Sequence, residues 1–308
     1  MIHNSKHDFI KYLPHTIAKG LVPYGIYNFL KKGRTSSYTN LLNSYHKSQK
    51  IPFSPGYQEA KLEFIQSTIS SKELFSCFVH QIFLPEGFGA FFDERVVEYP
   101  WIFANLNYNQ NSKLLDVGPA LNYKFCLDRL LSSNPNQEIT MLSLTPDARC
   151  FYHNKVSYVL GDVRSLPFIN NYFEQITCIS TIEHVGMNNQ RYGATVEHNP
   201  EDYIVALLEM KRVLKNSGAL LITVPFGTYE DFGWFQQFDE TMVNRIVEAF
   251  VPTEHSITYY KYTDKGWNLC SSDLCSSIRY NTHRSNDPLF YTSNPVCAGA
   301  VACIKLIK

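Results

Sequence analysis

The run Lys113-Leu114-Leu115-Asp116-Val117-Gly118-Pro119-Ala120-Leu121-Asn122 constrains this chain more than any other stretch. It reads as a short buried strand ending in an acid, followed at once by a glycine turn and the start of a helix. Open α/β sheets hold nucleotide-like ligands at such places, where backbone N–H groups and a positive helix end face the carboxyl edge of the strands. The rest of the chain is consistent with such a sheet. Strand signals occur at 113–117, 138–144, 156–160, 175–180 and 218–225, with helical patterns between them. This alternation predicts a doubly wound α/β fold, a parallel sheet with helices on both faces.

The strongest helical pattern spans 201–214. Asn199 is placed to cap it, Pro200 suits its first position, and Glu201 and Asp202 favour its positive end. Tyr203, Leu207, Met210 and Leu214 then recur on one face. Gly218 starts the next strand, and another helix opens at Asp239 with Val243, Ile246, Val247 and Phe250 on one side. Residues 298–306 read as a last strand. Residues 1–92 lack strand signals, so a mostly helical N-terminal region is expected ahead of a sheet domain over 93–308.

With 308 residues, 44% hydrophobic and 18% charged, the chain can bury a core and carries no signature of disorder. Its eight cysteines show no CxxC pair or zinc-type spacing, so no metal site is expected. Cys178 and Cys303 lie in apolar strands and read as buried reduced thiols. No run approaches the ~18 apolar residues that span a bilayer, and no secretory leader pattern is present. A cytoplasmic location is expected.

Net charge is zero, yet residues 1–50 hold eight Lys or Arg against one acid, Asp8. No comparable basic block follows, so nucleic acid is not an expected partner. The run from Leu21 to Lys32 is aromatic and basic, interrupted by Pro23 and Gly25. It is either an amphipathic segment in peripheral contact with the inner face of a membrane or a helix packed on the domain.

Three further segments follow the first strand in order. They are Gly161-Asp162-Val163-Arg164-Ser165-Leu166-Pro167-Phe168, then Phe173-Glu174-Gln175-Ile176-Thr177-Cys178-Ile179-Ser180, then Glu183-His184-Val185-Gly186. Together these segments resemble the motifs of class I S-adenosylmethionine-dependent methyltransferases of the type 11 group. The resemblance covers residues 93–308. It implies a Rossmann-like seven-stranded sheet with an antiparallel last strand near its edge, and S-adenosylmethionine as cofactor.

The resemblance also implies site residues. Asp116 and Gly118 match the family's acid and first glycine, while Ala120 and Asn122 stand where two further glycines are usual. Ala permits close backbone approach, and Asn tolerates positive φ better than other non-glycines. Ser143 falls where an acid usually takes the ribose hydroxyls, with Asp147 four residues on. A serine offers one neutral hydrogen bond where a carboxylate offers two charged ones. Either Asp147 substitutes, or adenosine binds more weakly, or the site is retuned. Asp162 fits the position that accepts the adenine amino group, the Val163 N–H the one that donates to the ring, and Ser180 the end of the fourth strand.

Glu183 and His184 follow that strand at the sheet's ligand edge and are the candidate catalytic pair. A histidine near its ordinary pKa of about 6.5 can take a hydroxyl proton at neutral pH. Alternatively, Glu183 fixes a loop and His184 packs against the cofactor. The aromatic loop 225–239 is read either as a cover over the acceptor or as core plugs. Arg191, Tyr192 and His198 lie in the preceding loop, which can face the same cleft. The expected acceptor is a small molecule or a glycan, and the sequence around 183–186 and 233–239 bears a slight likeness to methyltransferases of surface polysaccharide synthesis. The contrasting reading is a Rossmann-like binding or scaffolding protein without transfer activity, favoured by Ser143 and the missing glycines.

Overall fold

The computed structural model describes residues 37–108, 112–147, 149–151, 155–194 and 196–308. The run 21–32 and most of the basic cluster, with the membrane contact expected of them, lie outside the described residues. Among the described residues no helix is long and apolar enough to cross a membrane.

Eight strands form one sheet. In chain order its parallel members are β1 (Lys113–Val117), β2 (Glu138–Ser143), β3 (Val156–Leu160), β4 (Phe173–Ile179) and β5 (Leu214–Pro225). A two-residue ribbon, β6 (Glu230–Asp231) with β7 (Gln236–Gln237), stands apart. The sheet is completed by β8 (Glu254–Thr263), β9 (Gly266–Cys270) and β10 (Ala300–Ile307). Its spatial order is β3-β2-β1-β4-β5-β10-β8-β9. β10 runs antiparallel to both neighbours, with Cys303 opposite Thr223 and Thr258.

The expected antiparallel last strand is therefore present, but it sits two strands in from the edge, and the sheet has eight strands rather than seven. The extra strand is β9, folded back on β8 at Gly266, whose φ of 79° suits glycine. The chain before residue 93 fastens this edge. Phe88 bridges to Gly266, the Trp267 side chain donates to the Phe92 carbonyl at 3.1 Å, and Asn268 brackets the Leu84 backbone at 2.9 and 3.0 Å.

Both sheet faces are buried, and alternate strand residues serve opposite cores. On one side Ile222, Val224, Ala302 and Ile304 pack under α5 (Asp202–Val213) and α6 (Glu240–Phe250). On the other, Leu114, Met141, Leu221 and Cys303 pack against four helices. These are α1 (Tyr57–Ser70), α2 (Lys72–Val79), α3 (Arg95–Asn105) and α4 (Lys124–Ser133). Cys178 and Cys303 are buried and unpaired, as expected.

The two anticipated helix starts fare differently. Asp239 caps α6, its side chain accepting the Met242 N–H at 2.9 Å. Asn199 does not cap α5 with its side chain. Its own N–H is drawn to the Gly186 carbonyl at 2.6 Å, and the helix begins at Asp202, whose N–H reaches the Asn199 carbonyl. β5 also starts four residues earlier than Gly218, with a register shift opposite Phe173 and Gln175.

The join between α1 and the start of α3 is electrostatic. Buried Lys61 meets Asp93 at 2.5 Å, and the Tyr57 hydroxyl donates to the same carboxylate at 2.9 Å. Asp93→Ala leaves the Lys61 ammonium buried without its counter-ion and should cost about 3–5 kcal/mol in urea unfolding. The double replacement Lys61→Met/Asp93→Leu should lose clearly less. Equal losses would mean that the pair carries no charge penalty.

Candidate functional site

The turn after β1 is built from behind. Asp116 is fully buried, accepting the Leu121 N–H and the Thr177 hydroxyl, each at 2.7 Å. Burial pushes its carboxyl up to about 7, against the pull of those two donors. Gly118 has φ 71°, and a Cβ there would stand 2.2 Å from Thr181 Oγ1. The glycine thus serves close packing of the turn on the residue after β4, rather than space on the ligand side. The Tyr99 hydroxyl on α3 donates to the Ala120 carbonyl at 2.6 Å.

Beside this turn a cavity of about 520 Å³ opens along the carboxyl ends of β1 to β4. Of the expected residues, Gly118, Ala120, Ser143, Asp162, Val163, Ser180 and His184 line it. Asp116, Asn122 and Glu183 do not. Asn122 is a brace, not a left-handed turn residue: its amide donates to Asp147 Oδ2 at 3.1 Å and the Arg149 carbonyl at 2.8 Å, and it accepts from the Tyr158 hydroxyl at 3.0 Å. Asn122, expected at the ligand, thus stands behind the cavity wall.

At the β2 end, the Ser143 hydroxyl donates to the Thr145 carbonyl at 2.6 Å and keeps its lone pairs. Asp147 also lines the wall. Burial raises its carboxyl, but Arg149 and Asn122 outweigh this and hold it below the usual range. At the β3 end, Asp162 receives the Arg164 backbone N–H at 2.8 Å and its guanidinium at 2.6–3.1 Å. Burial raises this carboxyl too, and Arg164 again overrides it, leaving Asp162 ionised. Among the described residues no acceptor takes the Val163 N–H.

The β4 end carries Ser180, Glu183 and His184, the last two the candidate catalytic pair. Ser180 is a non-glycine at φ 37°, a strained setting at a strand's ligand edge. Its N–H is shared between the Thr223 carbonyl and hydroxyl at 3.0 and 3.1 Å, and its hydroxyl donates to Glu98 at 2.6 Å. Glu98 in turn pairs with Arg95 at 3.0 Å, and the Arg95 guanidinium reaches the cavity wall. Glu183 is buried with Oε2 unpartnered among the described residues, and desolvation lifts its carboxyl well above the ordinary value.

His184 differs from expectation. Its Nδ1 lies 2.8 Å from the Trp234 carbonyl, which can only accept, so Nδ1 carries the proton and Nε2 is left as an acceptor. Burial lowers its pKa to about 4 rather than the ordinary 6.5. Glu183 stands 4.0 Å from Nε2, beyond hydrogen-bond reach, and does not orient the ring, which is held instead through Nδ1. Of the two readings of the aromatic loop, the structure favours the core plugs. Phe226, Phe235 and Phe238 are core residues, and Trp234 packs 5.0 Å from His184, off the cavity wall. Tyr192 and Asn189 line the wall instead, while Arg191 stacks on Trp234 at 4.1 Å and His198 pairs with Asp231 at 3.3 Å.

Arg95, Glu98, Tyr99 and Arg164 were not anticipated. The available signal for the first two was an Arg–Glu pair at i,i+3 inside the otherwise apolar run Arg95-Val96-Val97-Glu98-Tyr99-Pro100-Trp101-Ile102-Phe103.

A family model described as a methyltransferase domain, of the type 11 group, matches residues 129–222. A comparison with curated proteins finds no match. Several solved structures are similar in fold. A Bacillus halodurans C-125 protein named as a methyltransferase is 17% identical, with 67% of this chain and 96% of that one covered and a TM-score of 0.42. The Burkholderia thailandensis 1,6-didemethyltoxoflavin-N1-methyltransferase, with bound 1,6-didemethyltoxoflavin and S-adenosylhomocysteine, is 11% identical over 83% and 92%, TM-score 0.41. The cyclase SpnF is 16% identical over 51% of this chain, TM-score 0.36, and the chain spans 56% of its length.

The raised carboxyl of Asp116 fixes a sign. Its proton is bound in both folded and unfolded chains well below about 3.9, and only the folded chain keeps it as pH rises toward 7. The group's contribution to stability is therefore greatest at low pH and is lost as pH rises through that window. In urea unfolding the stability of wild type relative to Asp116→Asn should fall by a few kcal/mol between pH 4 and 7, at about 1.4 kcal/mol for each tenfold difference in proton affinity between the folded and unfolded chains. A difference flat with pH would remove the claim.

Proposed function

We propose that this chain, which carries a class I S-adenosylmethionine-dependent methyltransferase domain, transfers the methyl group to an O–H or N–H of a small molecule or glycan. The observation that carries the reading is the neutral His184 ring on the cavity wall, its Nδ1 proton held by the Trp234 carbonyl and its Nε2 turned into an acceptor.

The donor set fits the cofactor. Asp162 and the unbonded Val163 N–H suit the amino group and a ring nitrogen of adenine, an acceptor beside a donor. Ser143 and Asp147 offer oxygens to ribose hydroxyls, and Arg95 offers a guanidinium to the α-carboxylate. When bound, the cofactor supplies an electrophilic methyl on a sulfonium. The protein's part is to orient both reactants and exclude water. Nε2 of His184 accepts the hydrogen of the acceptor's O–H or N–H and can take that proton as the new bond forms. The excess of basic residues in 1–50 supports a cytoplasmic enzyme in peripheral contact with an anionic membrane.

Calorimetry with S-adenosylhomocysteine tests the first half of the reading. Asp162→Ala should weaken binding by about 1.5–3 kcal/mol, the loss of a charged hydrogen bond. Unchanged affinity in a folded variant removes Asp162 from the site.

The second half is tested by turnover against a panel of hydroxyl and amine acceptors, read as S-adenosylhomocysteine release. His184→Gln keeps hydrogen bonding but cannot take a proton. It should lower turnover toward the smaller end of about 10²–10⁴-fold, because a weak base contributes less. Since His184 is neutral above about 4, its acidic limb should lie near pH 4, not 6.5, and vanish in the variant. Turnover within a few-fold of wild type would make His184 a packing residue. Cofactor binding without turnover on any acceptor would favour the inactive binding protein.

A further inference from the structure

Arg164 makes more contacts than its place in a turn demands. Its guanidinium meets three carboxylates at once: Asp162 at 2.6 Å, Asp202 at 2.7 Å and Glu197 at 2.8 Å. Asp162 is the wall residue at the β3 end. Asp202 opens α5, and Glu197 belongs to the chain between His184 and α5, where it lines the cavity. The same stretch carries Tyr192, whose ring stands edge-on to His184 at 5.7 Å. One side chain thus spans the two ends of the cavity.

Three carboxylates around one guanidinium leave an excess of negative charge, and all four side chains are only a quarter to a third exposed. Without the guanidinium these acids repel one another at short range, where partial burial weakens screening. Arg also differs from Lys here, because only the planar fork can hold Asp162 through two nitrogens and still point a third at Glu197 and Asp202.

We propose that Arg164 is a positioning residue of the transfer reaction. It ties the acid that receives the adenine amino group to the wall segment that sets Tyr192 against His184, so that cofactor binding at one end orders the acceptor end. The inference rests on the cofactor reading above, since it needs the adenine at Asp162.

Limited trypsinolysis supplies a readout that overall stability does not move, because Arg191 is exposed beside Tyr192 on this wall segment. In wild type, S-adenosylhomocysteine should slow cleavage after Arg191, followed as the fragment 1–191. Arg164→Lys keeps a positive charge among the three acids and so should fold. It should bind S-adenosylhomocysteine about ten-fold more weakly or worse, and lose the protection even at saturation. Glu197→Gln leaves the Asp162–Arg164 fork intact. It should weaken binding by no more than about three-fold, the scale of a partly exposed pair, yet also lose most of the protection.

Protection equal to wild type in both variants, at saturating S-adenosylhomocysteine, overturns the role of Arg164 and leaves the cofactor reading standing. A wild-type chain that binds no S-adenosylhomocysteine overturns the cofactor reading, and this inference with it.

Discussion

The two hydrogen bonds onto Asp116 hold the ligand edge of this protein together. One carboxylate at the end of β1 receives the Leu121 N–H from the far side of the turn and the Thr177 hydroxyl from β4. Strand, turn and neighbouring strand are fixed by one side chain. Burying a carboxyl is costly unless its oxygens are bonded, and a pKa held near 7 indicates that the two donors offset only part of that cost. The geometry follows from this anchor. With the turn pulled down, Gly118 lies so close to Thr181 that no side chain fits, and the chain leaves β4 through the strained Ser180. The cavity is the space left between that turn and the ends of β2 and β3.

Along the cavity the charges are sorted. At the β2 and β3 ends, Asp147 and Asp162 stay ionised because Arg149 and Arg164 overcome their burial. At the β4 end, burial wins. Behind that end of the wall Glu183 is held well above the ordinary carboxyl value, and on the wall His184 is lowered to about 4. Beside the Arg95–Glu98 pair, burial at this end works against charge. Ionised acids suit hydrogen-bonded recognition of a polar ligand, whereas neutral, partly dry groups suit a reaction in which charge is dispersed.

How much of this was legible in the sequence divides along a physical line. The parallel strands are buried on both faces, so they read as near-continuous apolar runs, and β1, β2, β3 and β4 were found within a residue or two. β9 was missed because an edge strand of five residues, Gly266-Trp267-Asn268-Leu269-Cys270, gives no such run; it pairs with β8 on one side and meets the chain before residue 93 on the other. Asn199 looked like a cap because local rules cannot see the Gly186 carbonyl that claims its N–H. Asp116 and Asn122 belong to the expected motif, but whether a side chain faces the ligand or braces the turn from behind is set by partners such as Thr177 and Tyr158, distant in sequence. Arg95 and Glu98 at i,i+3 resemble a solvated helix face, and only the packed α3 shows Glu98 to be fully buried.

The same line explains why the sequence could place Ser143, Asp162 and Val163 at the ends of β2 and β3 but could not give the orientation of His184. Asp162 and Val163 are adjacent in one turn, and Ser143 ends one strand, so a contiguous motif carries their geometry. His184 is set by a relay through three separated segments. The Ile278 carbonyl receives the Thr228 N–H at 2.8 Å and the Gln237 amide at 2.9 Å, which ties down the base of the aromatic loop. Phe235 in that loop packs on Tyr280 at 4.8 Å, just beyond Ile278. The loop then presents the Trp234 carbonyl to Nδ1 at 2.8 Å. The accepting group in each of these hydrogen bonds is a backbone carbonyl, which any residue can supply. The identity of the residues therefore carries little information about the orientation they impose. Which nitrogen of an imidazole is left to accept, when a backbone carbonyl fifty residues away engages the other, is visible only after the chain has folded. Changes in this loop can reorient His184 while the motifs at the ends of β1, β2 and β3 stay the same.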